Sequence, residues 1–231
     1  MEGTEVRKLA ELEDDHWWYR ERRHLLAKAI SGLVPGRALD IGAAGGGNTR
    51  VLREHGWDAV ALEYGSDGAE VAHGRGLATL RGDATRLPLA DDSLDLVMAF
   101  DLLEHLDDDA AAVAEVRRVL KPTGTYLVAV PADPKLWSEH DEAVDHVRRY
   151  TREGVLDLLD HGGFDVTDVR SWNVLLRPVV AMRRRTSSGS DLENLHPVVN
   201  FGLRTIITAE RYLPVGGLPG VSLLVRAQPR S

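Results

Sequence analysis

Arg37-Ala38-Leu39-Asp40-Ile41-Gly42-Ala43-Ala44-Gly45-Gly46-Gly47-Asn48 decides how this chain folds. Its first five residues form a short apolar run, the mark of a buried strand. The glycines that follow let the backbone turn sharply and leave room for a ligand to approach it. Residues 49–55 then carry a helical pattern. The segment therefore predicts strand, tight glycine turn and helix, with the helix N-terminus turned towards whatever binds there.

Downstream the same alternation continues. Strands are predicted at Asp58–Glu63, Ala78–Arg81 and Leu94–Phe100, with helices near 66–73 and 108–120. Lys121-Pro122-Thr123-Gly124 predicts a turn, which Pro and Gly both favour. A fifth strand at 126–130 is apolar on both faces, as a central parallel strand should be. Strands alternating with helices in this way predict an α/β fold with a doubly wound, mostly parallel sheet. After a helix at 151–161, two more strands at 164–170 and 221–226 bring the sheet to seven. Roughly 50 residues separate those last two, far more than a hairpin needs. Helical patterns at 174–185 and 197–212, parted by Thr186-Ser187-Ser188-Gly189-Ser190, predict a helical cap over 171–213, inserted before the last strand. Upstream, His16-Trp17-Trp18-Tyr19-Arg20 opens a helix within 14–33, broken at Pro35-Gly36. With 231 residues and 43% hydrophobic content, residues 1–231 are expected to form one domain around one core.

Composition narrows the function. No run approaches the ~18 apolar residues of a membrane span, and the charged stretch from Glu2 to Asp15 is unlike a signal peptide, so a cytoplasmic protein is expected. The absence of cysteine excludes disulfides, thiolate nucleophiles and Cys-based zinc sites. Residues 1–165 carry 19 Lys+Arg against 32 Asp+Glu, whereas residues 166–231 carry 9 against 4. So acidic a body repels a phosphate backbone, which argues against general nucleic-acid binding. The basic tail would suit an anionic substrate, an acidic partner or a membrane surface, or be a solvated face; Arg183-Arg184-Arg185 reads as surface charge, with a phosphate site as the alternative.

Ligands of open α/β sheets bind at the carboxyl ends of the strands, and three such ends carry chemistry here. The first is the glycine turn after Asp40. The second is Glu63, a carboxylate able to accept both hydroxyls of a ribose. The third is Gly82-Asp83-Ala84, where a carboxylate could accept an adenine amino group. A nicotinamide dinucleotide would call for G-x-G-x-x-G, and from Gly42 the second glycine falls on Ala44.

As a set, these residues resemble the class I S-adenosylmethionine-dependent methyltransferases of the ubiquinone and menaquinone biosynthesis type. The matching blocks are Leu39-Asp40-Ile41-Gly42, Gly82-Asp83-Ala84 with Leu87-Pro88, Asp92-Ser93-Leu94-Asp95-Leu96-Val97, Leu103-Glu104-His105-Leu106 and Val119-Leu120-Lys121-Pro122-Thr123-Gly124. The resemblance implies an antiparallel last strand beside the fifth. It also implies S-adenosyl-L-methionine as cofactor, with Asp40, Gly42, Ala43 and Gly46 on its methionine moiety, Glu63 on the ribose, and Asp83 with Ala84 on the adenine. Tyr64 and Phe100 are further expected contacts, and the aromatic N-terminal helix would close as a lid, bringing Tyr19 or Arg20 to the cofactor carboxylate. Two positions depart from the family pattern: Ala44 stands for the second glycine, which suits a negative φ, and Glu63-Tyr64 stands for an Asp-plus-small pair.

Methyl transfer to a hydroxyl needs in-line positioning and a base or a metal. Asp101, Glu104 and His105 follow the fourth strand at i, i+3 and i, i+4 spacing, so the start of a helix would set them on one side. Ser138-Glu139-His140-Asp141-Glu142 and Asp145-His146 follow the fifth strand. The combination resembles the metal site of small-RNA 2′-O-methyltransferases and ubiquinone O-methyltransferases, which implies Glu104, His105 and His146 as ligands, completed by Asp101 or His140. Mg²⁺ or Mn²⁺ is the implied ion, although two imidazoles suit Mg²⁺ poorly. Metal-free base catalysis by His105, His146 or His140, and purely structural histidines, stay open at this stage. The expected activity is O-methylation of a small-molecule or glycan acceptor. C- or N-methylation, a non-catalytic cofactor-binding module and a nicotinamide oxidoreductase are the rivals, and the cap offers a surface for self-association.

Overall fold

A computed structural model describes residues 12–184 and 196–230 of the chain. Seven strands form one sheet: β1 (Arg37–Ile41), β2 (Asp58–Glu63), β3 (Ala78–Arg81), β4 (Leu94–Phe100), β5 (Leu120–Pro131), β6 (Phe164–Trp172) and β7 (Ser222–Pro229). Their order is β3-β2-β1-β4-β5-β7-β6. All pairs are parallel except those of β7, which runs antiparallel to both β5 and β6. The helices are α1 (Trp17–Ile30), α2 (Gly47–Glu54), α3 (Ser66–Gly74), α4 (Asp109–Val119), α5 (Glu139–Ala143), α6 (Arg152–His161), α7 (Arg177–Arg183) and α8 (Pro197–Glu210). None of the described helices is long and apolar enough to cross a membrane.

The period-2 alternation of side chains explains why the central strands are apolar throughout. Leu39, Ile41, Val97, Val128 and Val225 point to the face covered by Val113 and Val116 of α4 and Leu159 of α6. Their neighbours Ala38, Leu96, Met98 and Leu127 point to the opposite face, where Leu26 and Ile30 of α1 and Val51 and Leu52 of α2 cover them. Each buried Leu or Val contributes about 1.5–3 kcal/mol, and the two layers hold the carboxyl ends of β1, β4 and β5 side by side.

Two expectations about boundaries are corrected. The Lys121-Pro122-Thr123-Gly124 turn is a bulge inside β5: the register steps from Leu94↔Leu120 to Leu96↔Thr125, so the extra residues loop out without ending the strand. The first cap helix starts at Arg177 rather than 174, because Asn173 has φ 59° and Glu210 Oε2 accepts the amide of Leu175 at 2.9 Å. Thr186-Ser187-Ser188-Gly189-Ser190 and Arg185 lie outside the described residues. α7 and α8 lie between β6 and β7, and α8 packs on α1: Trp17 N donates to Asn200 Oδ1 at 2.9 Å, Arg211 pairs with Glu21, and Trp17 clusters with Ile207 and with Leu176, just before α7.

Candidate functional site

A cavity of about 290 Å³ opens at the carboxyl ends of the central strands. Its floor is the glycine loop and the end of β4, and α1 and α7 form its roof. Tyr19, Gly42, Ala43, Phe100, Asp101, Glu104, His105, His140 and His146 all line it.

The loop is shaped by backbone that few side chains tolerate. Gly42 and Gly46 have φ of 70° and 78°. A Cβ at Gly42 would come 2.9 Å from Leu102 Cδ1, and one at Gly46 would collide with Leu77. Ala44 has φ 45°, which corrects the negative φ expected of an alanine. The cause is Glu63, whose Oε2 accepts Ala44 N at 2.8 Å while its Oε1 accepts Gly65 N at 3.1 Å. Asp40 works behind the loop rather than on the cavity wall. It is buried, and its Oδ2 accepts Thr49 Oγ1 at 2.6 Å. Burial drives its pKa up to about 6, against the pull of the Thr49 bond and the Arg22 charge.

Glu63 and Asp83 flank this loop rather than the cavity. Gly82 N donates to Glu63 O at 3.2 Å, so the two strand ends are neighbours. Asp83 Oδ1 accepts both Thr85 N and Thr85 Oγ1 at 2.8 Å, bonds that lower its pKa. Ala84 is buried in the main core, and Tyr64 is 75% exposed, away from the cavity. Arg20 donates to Asp14 O, whereas Arg22 and Arg23, which the sequence did not single out, reach the cavity wall. Arg22 lies 5.4 Å from the centre of the Phe100 ring and forms an ion pair with Asp101.

Past β4, the expected helix start is replaced by Asp101 at φ 50° and a single 3₁₀ turn, Leu103–His105. Asp101 is turned to Arg22, and His140 stands with its ring centre 6.4 Å from that of His146. Neither belongs to the group that does converge. Glu104, His105 and His146 offer ligand atoms within 4.8 Å of one another. Glu104 is 0% exposed and neither of its oxygens accepts a hydrogen bond. Burial raises its pKa well above the usual range, and the Asp101 charge adds to the effect.

Both imidazoles are held from behind. His105 Nδ1 lies 3.2 Å from Asp145 O, and His146 Nδ1 lies 2.9 Å from Asp141 Oδ1. Carbonyl and carboxylate oxygens only accept, so each Nδ1 donates, and in a neutral imidazole the lone pair then lies on Nε2. His146 Nε2 faces Glu104 Oε1 at 3.8 Å. Burial, then the neighbouring His146, lowers the pKa of His105 and keeps it neutral. Burial alone would raise the pKa of Asp141, but the His146 bond and the charges of Arg149 and Arg184 outweigh it and hold the pKa near about 2. Two imidazoles, each with an outer partner, and an unpartnered carboxylate are a donor set suited to a divalent cation or to proton transfer. Asp141 was quoted in the sequence only as part of an acidic run; nothing local marked it as the partner of His146.

Comparison with known proteins agrees with the fold. Residues 39–128 match the family model described as a methyltransferase domain. A probable S-adenosylmethionine-dependent methyltransferase of Mycolicibacterium smegmatis is 30% identical over 172 residues, covering 71% of this chain and 66% of that protein. A demethylmenaquinone methyltransferase of Renibacterium salmoninarum is 36% identical over 118 residues, covering 50% of this chain and 49% of that one. The chain thus spans just under two thirds of the first relative and about half of the second. An S-adenosylmethionine-dependent methyltransferase structure from Mesorhizobium loti superposes with a TM-score of 0.64 at 19% identity, covering 94% of this chain and 99% of that one. Sequence blocks, strand order with its single reversed strand, and the glycine loop agree: the chain belongs to the class I S-adenosylmethionine-dependent methyltransferases.

Proposed function

We propose that this chain methylates a hydroxyl of a small-molecule or glycan acceptor held in the cavity, with a divalent cation at Glu104, His105 and His146. One observation carries the proposal. The carboxylate of Glu104 is buried with both oxygens unpartnered, facing two imidazoles whose Nδ1 atoms are engaged elsewhere. An unsatisfied buried carboxylate is costly, and a cation among these three side chains would satisfy it. Two nitrogens and one carboxylate favour Mn²⁺ over Mg²⁺.

The glycine loop, which lines the cavity with Gly42, Gly45 and Gly47, fits the close approach of S-adenosylmethionine. Glu63 would hold its ribose, and Tyr19 or the Arg22–Arg23 pair on α1 would face its carboxylate. When bound, the cofactor would supply an electrophilic methyl group and a cation would lower the pKa of the acceptor hydroxyl. The chain's own residues do the rest. α1 and α7 exclude water and the cavity wall aligns the acceptor; without a cation, His105 Nε2 would be free to take the hydroxyl proton.

That last role favours a second reading, metal-free base catalysis, because burial keeps the imidazole of His105 neutral. Chelator-treated protein titrated with Mn²⁺ by calorimetry, alongside methyl-transfer assays on phenols, catechols and glycosides, separates the two. We expect Mn²⁺ to bind, binding to vanish in E104Q, and chelator, H105A and H146A each to cut turnover at least ~100-fold. Activity that survives chelation but falls in both histidine variants overturns the cation and leaves the base.

A further inference from the structure

Four donors converge on the buried carboxylate of Asp141 in α5. Oδ1 accepts from His146 Nδ1 at 2.9 Å and Arg149 Nη1 at 2.8 Å. Oδ2 accepts from Ser138 N at 3.1 Å and Arg184 Nη1 at 3.2 Å. These donors come from the start of α5, the loop after it and the end of cap helix α7. We propose that Asp141 is a positioning residue that sets the His146 ring with Nε2 towards Glu104 and ties this setting to the seating of the cap through Arg184. The proposal rests on the role given above to His146.

The first half follows from donor chemistry. A carboxylate behind an imidazole selects one tautomer and one ring orientation, and a ring so held presents its second nitrogen in a fixed direction. Asp141 cannot drift, because Arg149 is fastened to both sides of the site. Its Nε donates to Ala132 O at 3.0 Å and its Nη2 to Val221 O at 3.2 Å, fixing it to the end of β5 and the residue before β7.

The second half follows from how α7 is attached. Its first residue, Arg177, forms an ion pair with Asp133, and Arg184, just past its end, donates to Leu136 O at 2.8 Å as well as to Asp141. Both ends of the helix are therefore clamped to the segment between β5 and α5. Val179, Val180, Arg183 and Arg184 line the cavity, so a ligand filling it bears on α7. Displacing α7 pulls Arg184 from Asp141, and the same carboxylate then loses a donor opposite His146. A guanidinium–carboxylate contact is directional enough to transmit that movement.

The test is nitrogen-15 NMR of histidine-labelled protein, chelator-treated and bound to S-adenosylhomocysteine, joined to amide exchange. In the wild type we expect His146 to carry its proton on Nδ1. In R184M we expect amides of α7 to exchange at least about tenfold faster and the His146 nitrogens to shift, with R184K restoring both. D141A should yield mixed tautomers where it folds. If it does not fold, the wild-type tautomer and the Arg184 pair still decide. A wild-type proton on Nε2 overturns the positioning role, and an R184M spectrum superposable on wild type at His146 overturns the link to the cap. None of these readouts needs turnover or a cation, so chelator-resistant methylation would sink the cation proposal while leaving this one untouched.

Discussion

Changing Asp40 to asparagine should stabilise the unliganded protein at neutral pH and leave it unchanged near pH 4. Asp40 is 1% exposed, and its side chain accepts the Thr49 hydroxyl at 2.6 Å, a bond that asparagine Oδ1 can also accept. Burial raises its pKa from 3.8 to about 6 in the folded state. A rise of about two units, at 1.36 kcal/mol each, is about 3 kcal/mol that folding must supply to keep the group ionised. The sign is that of a raised acid. Between those two values the native state binds more protons than the unfolded state, so the stabilisation is complete below about pH 4 and is lost as pH rises through about 6. Asparagine carries no such proton. Urea midpoints for both proteins at several pH values should therefore diverge across this window, by up to about 3 kcal/mol at its top. Curves that stay parallel from pH 4 to pH 8 would refute the assignment of a destabilising carboxylate at Asp40. A charge held under the glycine loop at a cost in stability points to function, so the same substitution should weaken S-adenosylhomocysteine binding in calorimetry.

Three other substitutions probe the loop. A44G relieves a left-handed alanine worth ~1–2 kcal/mol but adds unfolded-chain entropy, so the net gain should be about 1 kcal/mol or less, a rise of ~2–4 °C at most in thermal unfolding; a fall would mean the positive φ is not strained. G46A places a methyl against Leu77 at φ 78° and should cost ~1–3 kcal/mol; an unchanged melting temperature counts against this geometry. E63A should weaken S-adenosylhomocysteine binding by ~1–3 kcal/mol; equal affinity in calorimetry would remove Glu63 from the ribose.

What the sequence shows and what it hides divide along physical lines. Strands Arg37–Ile41, Asp58–Glu63, Ala78–Arg81 and Leu94–Phe100 are legible because each is a short run rich in apolar residues, read against neighbours of different pattern. β5 is harder, since Pro122 and Gly124 signal a turn locally while the pairing of Leu94 with Leu120 and Leu96 with Thr125 keeps the strand intact as a bulge. Ala44 misleads for a similar reason: alanine by itself avoids positive φ, but a carboxylate 19 residues away captures its amide. The i, i+3 and i, i+4 spacing of Asp101 with Glu104 and His105 presumes an α-helix, and the left-handed turn at Asp101 breaks that premise.

Two aspartates show where sequence reasoning ends. Asp101 and Asp141 both stand near His/Glu pairs after a central strand, with equal chemical claims on a site. Arg22 takes Asp101 out of the ligand group, and its remaining influence is a negative charge that adds to the raised pKa of Glu104. Asp141 meets Arg149, 8 residues on, and Arg184, 43 residues on, and so becomes the fixed acceptor behind His146. The same side chain thus opposes ionisation in one place and orients a neighbour in the other. The difference lies wholly in which guanidinium the fold delivers to each, and in a chain with 28 Lys and Arg no local pattern can name that partner.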